Sequence, residues 1–328
     1  MEIKKISRVK LSFRSSSMPS TSSAMMLRLT TLAFILLLFF GAPANAQEKD
    51  APYVPTPDNV VDKMLDMAHV GPEDYVIDLG CGDGRIIIAA ARRGAIGLGV
   101  DLDEELIKEA RENAREAGVS DKVMFLKQDL FKTDISGANV ITLYLFPDLI
   151  NKLRPEFTEK LEPGARIVSH DFDMDGWEPD QHAQVNSGNL FPDTLILPKL
   201  TESDTYSPLL KDVTQNQPLS LLSHEVYYWK VPAEAQGRWK WQTNGEAFTM
   251  TVDQNFQKIQ AEIRTGNTAL TIESKKLMGD RITIHAVNPE TKTRYLLNGH
   301  IEKDTIKGKI QIRSDEDKRI ENWTANQN

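Results

Sequence analysis

The residues best suited to chemistry lie in the run Val76-Ile77-Asp78-Leu79-Gly80-Cys81-Gly82-Asp83-Gly84-Arg85, an apolar stretch leading into an acid and three alternating glycines. Glycines at 80, 82 and 84 permit positive φ and let a ligand approach the backbone closely. A helix starting near Arg85 would offer free N–H groups to a carboxylate or phosphate. A dinucleotide site of G-x-G-x-x-G form would need glycine where Arg85 stands, and no Gly-Lys-Ser/Thr follows to make a P-loop. Further polar groups close later apolar runs: Asp101-Leu102, Gln128-Asp129-Leu130, Tyr144 and His170-Asp171. Asp101 is the type of residue that takes both hydroxyls of a ribose in a bidentate contact. Taken singly, each of these acids reads as an ordinary cap or turn. Their succession behind the glycine run is what points to a nucleotide-like ligand.

Elements must carry these groups to one place. From Tyr53 to about Val231 apolar runs alternate with helical patterns, the mark of an α/β protein with a parallel sheet. Thr56-Pro57-Asp58 predicts a helix start with Thr56 as the capping hydroxyl, followed by Val60, Val61, Met64, Leu65 and Ala68 at helical spacing. Strands are expected at Tyr75–Leu79, Gly97–Asp101, Val123–Leu126, Asn139–Leu143, Ala165–His170 and Glu225–Val231, with helices over Arg85–Arg93, from Asp103 to Gly118, and near Pro147–Leu161. Residues 186–222 read as a long loop or lid. After Pro232 the pattern changes to period-two alternation, as in Phe248/Met250/Val252, Ile259/Ala261/Ile263 and Ile306/Ile310/Ile312. That predicts an antiparallel β-meander, a small sandwich or open barrel with Trp239, Trp241 and Trp323 in its core.

The spacing Asp78-x-Gly80-x-Gly82-x-Gly84, with an acid at the end of the next strand, resembles the class I S-adenosylmethionine-dependent methyltransferases. Over roughly residues 52–185 a narrower resemblance holds. Pro52-Tyr53-Val54-Pro55-Thr56-Pro57, the glycine run with Arg85-Ile86-Ile87-Ile88-Ala89-Ala90-Ala91, Leu161-Glu162-Pro163-Gly164-Ala165-Arg166-Ile167-Val168-Ser169 and Trp177-Glu178-Pro179-Asp180 are similar to the ATP synthase c-subunit lysine N-methyltransferase family and its bacterial relatives. The resemblance implies a Rossmann-like seven-stranded sheet with helices on both faces, S-adenosyl-L-methionine as cofactor and a lysine ε-amine as acceptor. It implies cofactor contacts from Tyr53, Thr56, Asp78, Gly80, Cys81, Gly82, Gly84, Asp101, Leu102, Gln128, Asp129 and Leu130, with the Tyr53–Pro57 segment folded over the cofactor. Tyr144, His170 and Asp171 are the groups placed nearest the acceptor. Residues 186–222 and the β domain depart from the family pattern.

Composition narrows the partners. The chain has 328 residues and a formal net charge of −8, but residues 1–46 hold six bases and one acid, which leaves 33 bases against 46 acids, a formal −13, in the rest. Such a body disfavours nucleic acid and suits a cationic, lysine-bearing protein substrate. Leu29–Phe40 is an apolar run between a basic segment and small residues ending at Ala46, the layout of a signal peptide or short membrane anchor. That layout predicts an exported, periplasmic or membrane-anchored protein in a bacterium, or an organellar membrane protein otherwise. The membrane would be met only through this segment, if it is not cleaved. The expected organisation is thus 1–46 leader, 47–232 methyltransferase domain and 233–328 β domain. The lone Cys81 excludes an intrachain disulfide and a multi-cysteine zinc site. Asp171-x-Asp173-x-Asp175-Gly176 imitates half of an EF-hand, but its twelfth position is His182, so it reads as an acidic loop and no metal site is expected. A small-molecule or lipid methyltransferase, and an exported non-catalytic module of the same fold, are the competing readings.

Overall fold

A computed structural model of the chain describes residues 53–186, 223–243, 245–315 and 317–328. The leader and nearly all of the expected lid lie outside the described residues. Among the described residues, no helix is long and apolar enough to cross a membrane.

The first half is an α/β sheet. In chain order it runs α1 (Asp58–Met67), β1 (Tyr75–Leu79), α2 (Arg85–Arg92), β2 (Ile96–Asp101), α3 (Glu104–Glu116), β3 (Val123–Lys127), β4 (Val140–Leu143), α4 (Pro147–Lys160), β5 (Arg166–His170), β6 (Gln181–Asn186) and β7 (Ser223–Lys230). The strand order is β3-β2-β1-β4-β5-β7-β6. Strands β1 to β5 are parallel, and β7 runs antiparallel to β5 and β6. Both faces are covered, which is why the central strands read as continuous apolar runs. Val76, Val140 and Val168 face one way, onto Val60, Met64, Ile87 and Ala110; Ile77, Leu79 and Ile141 face the other, onto Leu149, Leu153 and Phe157. Chain direction across the sheet reverses between β1 and β4, so the crevice at their C-terminal ends is where a ligand belongs.

Two local expectations change. Helix α1 has Pro57 at its cap with no side-chain hydrogen bond, so Thr56 does not cap it. The Thr56 hydroxyl instead lies 3.1 Å from Nδ1 of His170, a partner 114 residues away. Strand β6 was not expected, because Gln181–Asn186 is an edge strand without a buried residue. Asp103, by contrast, caps α3 as predicted, accepting from the Glu105 N–H at 3.0 Å.

The second half is a single antiparallel sheet of nine strands: β8 (Gly237–Thr243), β9 (Glu246–Asn255), β10 (Lys258–Thr265), β11 (Thr268–Ala269), β12 (Thr271–Met278), β13 (Arg281–Val287), β14 (Arg294–Glu302), β15 (Thr305–Arg313) and β16 (Lys318–Gln327). Its order is β11-β10-β9-β8-β16-β15-β14-β13-β12, and β10 comes beside β12, so the sheet nearly closes. Of the two expected forms, the barrel is found. Trp239, Trp241 and Trp323 are buried in its core with Phe248, Met250, Ile284 and Ile310.

The two sheets meet at Trp177, in the loop after β5. Its ring stacks on Phe256 of the β9–β10 turn, with centroids 4.7 Å apart, and its indole N–H donates to Oε1 of Gln257 at 2.8 Å. The Trp177 carbonyl accepts from the indole of Trp229 at 2.8 Å. Beside this joint lies a cleft of about 490 Å³, lined by Pro147, Asn151, Asp173–Pro179 and Asn255–Lys258.

Candidate active site

The glycine loop leaves β1 with Gly80, Gly82 and Gly84 at φ of 87°, 53° and 80°, the left-handed region open to glycine. Side chains there would also collide: a Cβ on Gly82 would strike the Tyr53 ring, and one on Gly80 would come 2.9 Å from Leu145. Tyr53 therefore covers the loop, and Leu145, just past β4, approaches it from the other strand end. The strap that carries Tyr53 is tied down by Arg85, which donates to the Thr56 carbonyl at 2.9 Å and pairs with Asp83 at 2.6 Å. Burial works against ionisation of Asp83, but the Arg85 guanidinium outweighs it and holds the carboxyl below its usual range.

Asp101, at the end of β2, joins the loop to the next strand. Its Oδ2 accepts from the Gly82 N–H at 3.0 Å, its Oδ1 from the Asp103 N–H at 2.9 Å, and its carbonyl from the Gln128 N–H at 2.9 Å. Leu102 is half-buried beside it. The Gln128 side chain donates to the Thr133 hydroxyl at 2.9 Å, and Asp129 caps the short 3-10 turn Leu130–Lys132 through the Phe131 N–H. Asp78, Gly80, Cys81, Gly82, Gly84, Asp101 and Gln128–Leu130 thus converge at the C-terminal ends of β1, β2 and β3. Cys81 is buried, and burial pushes its thiol well above the ordinary range, so it is no nucleophile.

Asp78 lies beneath the loop, 1% exposed. Its Oδ1 accepts from the Thr142 hydroxyl at 2.7 Å, while Oδ2 has no partner. Burial raises its pKa from 3.8 to about 7, partly offset by the Thr142 bond. Because the folded value is raised, the folded chain holds this proton after the unfolded chain has lost it. Its stabilising contribution is therefore complete below pH 4 and disappears as pH rises towards 7. The ligand-free protein is expected to melt at lower temperature at pH 8 than at pH 5.5, and Asp78→Asn should reduce that difference. Thermal unfolding of both proteins at the two pH values checks this; equal differences would contradict the burial argument.

A second group gathers at the ends of β4 and β5. Tyr144 packs on His170 with ring centroids 3.9 Å apart and the ring planes tilted by 33°, and its hydroxyl reaches Asp171. Burial, then the Asp171 charge, raises the Tyr144 phenol, which stays protonated. His170 is fully buried, and burial pushes its pKa down to about 4, so it is neutral at neutral pH. Asp171 adopts φ of 61°, an uncommon left-handed conformation, fixed by its N–H on the Glu225 carbonyl at 2.7 Å and by the Glu225 N–H on its Oδ1 at 2.9 Å. Burial opposes its ionisation, yet the hydrogen bonds from His224 and from the Glu225 N–H keep its pKa lowered. Thr56 belongs to this second group through its hydroxyl. His224 is the residue the sequence reading missed, since it stands one position before the strand expected from Glu225. The period-two alternation of Tyr228 and Val226, carried back one step, is the signal that puts it on the buried face.

The profile of the ANTKMT methyltransferase domain matches residues 78–181. A protein-lysine N-methyltransferase from Saccharolobus islandicus is 43% identical over 141 residues, which is 42% of this chain and 88% of that protein. The ATP synthase c-subunit lysine N-methyltransferase of Xenopus laevis is 32% identical over 141 residues, which is 43% of this chain and 62% of the relative's length. A crystal structure of an RNA methyltransferase from Salinibacter ruber with S-adenosyl-L-homocysteine shares 43% identity, with a TM-score of 0.43, covering 55% of this chain and 95% of that one. The loop suits S-adenosylmethionine by its own chemistry: a buried carboxylate oxygen of Asp78 awaits a donor, and both oxygens of Asp101 keep lone pairs for hydroxyls. The chain is a class I S-adenosylmethionine-dependent methyltransferase and belongs to the ANTKMT methyltransferase-domain family.

Proposed function

We propose that this enzyme methylates the ε-amine of a lysine in a protein substrate. The observation that carries the reading is the set Tyr144, His170 and Asp171 at the ends of β4 and β5, next to the glycine loop through Leu145. The names of the relatives in two organisms, both lysine N-methyltransferases, point the same way. S-adenosylmethionine supplies a methyl group already activated on a sulfonium. Gly80, Gly82 and Asp78 would hold its amino-acid end, Asp101 its ribose, and Gln128–Leu130 its base.

What is left for the protein is mainly alignment of a neutral nucleophile. A lysine ammonium must lose its proton first, and a desolvated pocket favours the uncharged amine. Neutral His170 and the protonated phenol of Tyr144 make such a wall. The exposed acids Asp173 and Asp175, on the adjoining cleft, attract the cationic side chain from solvent. Tyr144 is the group that meets the acceptor, with His170 and Asp171 holding it. Tyr144→Phe is expected to lower turnover about tenfold with cofactor affinity unchanged; steady-state kinetics and cofactor titration check both, and full activity would remove Tyr144 from the reaction.

The formal −13 of residues 47–328 weighs against an RNA acceptor. The deciding experiment incubates the enzyme with methyl-labelled cofactor and a fractionated extract, including membranes, of its source cells. Label in protein supports this reading, and label confined to lipid or small molecules overturns it in favour of the other acceptor classes. The layout of residues 1–46 supports an exported or membrane-anchored enzyme. Protein recovered from the source-cell envelope should begin at Gln47 if the leader is cleaved and keep it if it serves as the anchor; recovery from the cytosol alone would overturn both.

A further inference from the structure

Where β5 ends and β7 begins, three polar atoms form a triangle that an ionised carboxylate and two neutral imidazoles cannot satisfy with their own protons. Nε2 of His170 and Nδ1 of His224 are 2.8 Å apart, and Oδ2 of Asp171 is 3.2 Å from each. A carboxylate only accepts, and each neutral imidazole has one N–H. If both rings point an N–H inward, two hydrogens oppose each other on the short edge. If one ring does, the lone pair of the other faces the carboxylate. Doubly protonating either ring still leaves one of these two conflicts. A cation between them turns all three edges into ligand contacts at once.

The spacing is that of neighbouring ligand atoms around an ion held at about 2.0–2.2 Å. The surroundings match at two of the three groups. His170 is braced by the Thr56 hydroxyl at its other nitrogen, 3.1 Å away, and Asp171 by the Glu225 N–H on its other oxygen. Both histidines are buried, Asp171 keeps a narrow opening to solvent, and no Lys or Arg among the described residues pairs with that carboxylate. A buried negative charge without a positive partner is costly.

We propose that His170, Asp171 and His224 form a two-histidine, one-carboxylate site for a divalent late first-row metal ion such as Zn2+ or Co2+. Imidazole nitrogens select such ions over Mg2+ and Ca2+, which prefer oxygen shells. The ion would lock β5, β7 and the Thr56 strap together behind Tyr144. The site is independent of which acceptor the enzyme methylates.

The test uses the full chain without a histidine tag, stripped by chelator and then dialysed against Zn2+ or Co2+ alone. Elemental analysis should find about one ion per chain, and Co2+ should give the visible absorption of a nitrogen-ligated site. His224→Ala and Asp171→Asn should lose both signals, whereas His300→Ala, at a half-buried histidine of β14 in the second sheet, should keep them. Circular dichroism identifies which variants remain folded, and His224→Gln replaces any that do not. Less than half an ion in folded wild-type protein overturns the assignment, leaving the triangle to an ammonium group. Equal retention in the folded site variants, or loss in His300→Ala, overturns it as adventitious surface binding.

Discussion

Replacing Asp101 with alanine is expected to weaken S-adenosylmethionine binding at least about a hundredfold, the largest effect of any single side chain in the cofactor site. Hydrogen bonds to a charged acceptor contribute about 1.5–3 kcal/mol each, and two ribose hydroxyls would lose theirs, a loss of about 3–6 kcal/mol. The same carboxylate also orders the loop, holding the Gly82 and Asp103 N–H groups at 3.0 and 2.9 Å. Asp101→Asn keeps one acceptor oxygen and should fall between the two. Isothermal titration of folded variants measures this directly, and unchanged affinity in Asp101→Ala would refute the ribose assignment.

Replacing Trp177 with alanine should cost about 3–5 kcal/mol of stability, the range for deleting a large buried aromatic. Trp177 is fully buried, stacks on Phe256 and donates to Gln257, so one residue of the α/β half is packed by the β9–β10 turn of the second sheet. The Gln257 side chain also donates to the Glu178 carbonyl at 2.5 Å, so losing the indole loosens a joint held from two sides. Denaturant unfolding of the whole chain gives the loss, and a change below about 1 kcal/mol would mean that the two sheets do not depend on this contact.

The parallel core was legible in the sequence because burial on both faces leaves an unbroken apolar signature. Tyr75–Leu79 was read to the residue, and Asp103 and the hairpins of the second half followed from local turn and cap chemistry. Where the reading failed, the deciding contact was distant in sequence. Thr56 has the look of a cap, but its partner His170 is on β5. Strand β6 has no apolar face of its own and exists by pairing with β7. Near closure of the nine-stranded sheet depends on β8 lying beside β16, a pairing of segments at opposite ends of that half. The glycine loop and its acids were visible as a motif. The polar group around His170 was visible only in part, since His224 continues the inward alternation of Val226 and Tyr228 but stands before the apolar run that marks the strand.

Methyl transfer to lysine is the central claim, and tandem mass spectrometry of an acceptor labelled by the purified enzyme tests it most directly. The account predicts one or more methyl groups on a lysine Nε, present with the wild-type chain and absent with Asp101→Ala. Methylation by the wild-type enzyme on any other atom, with lysine unmodified, would contradict it.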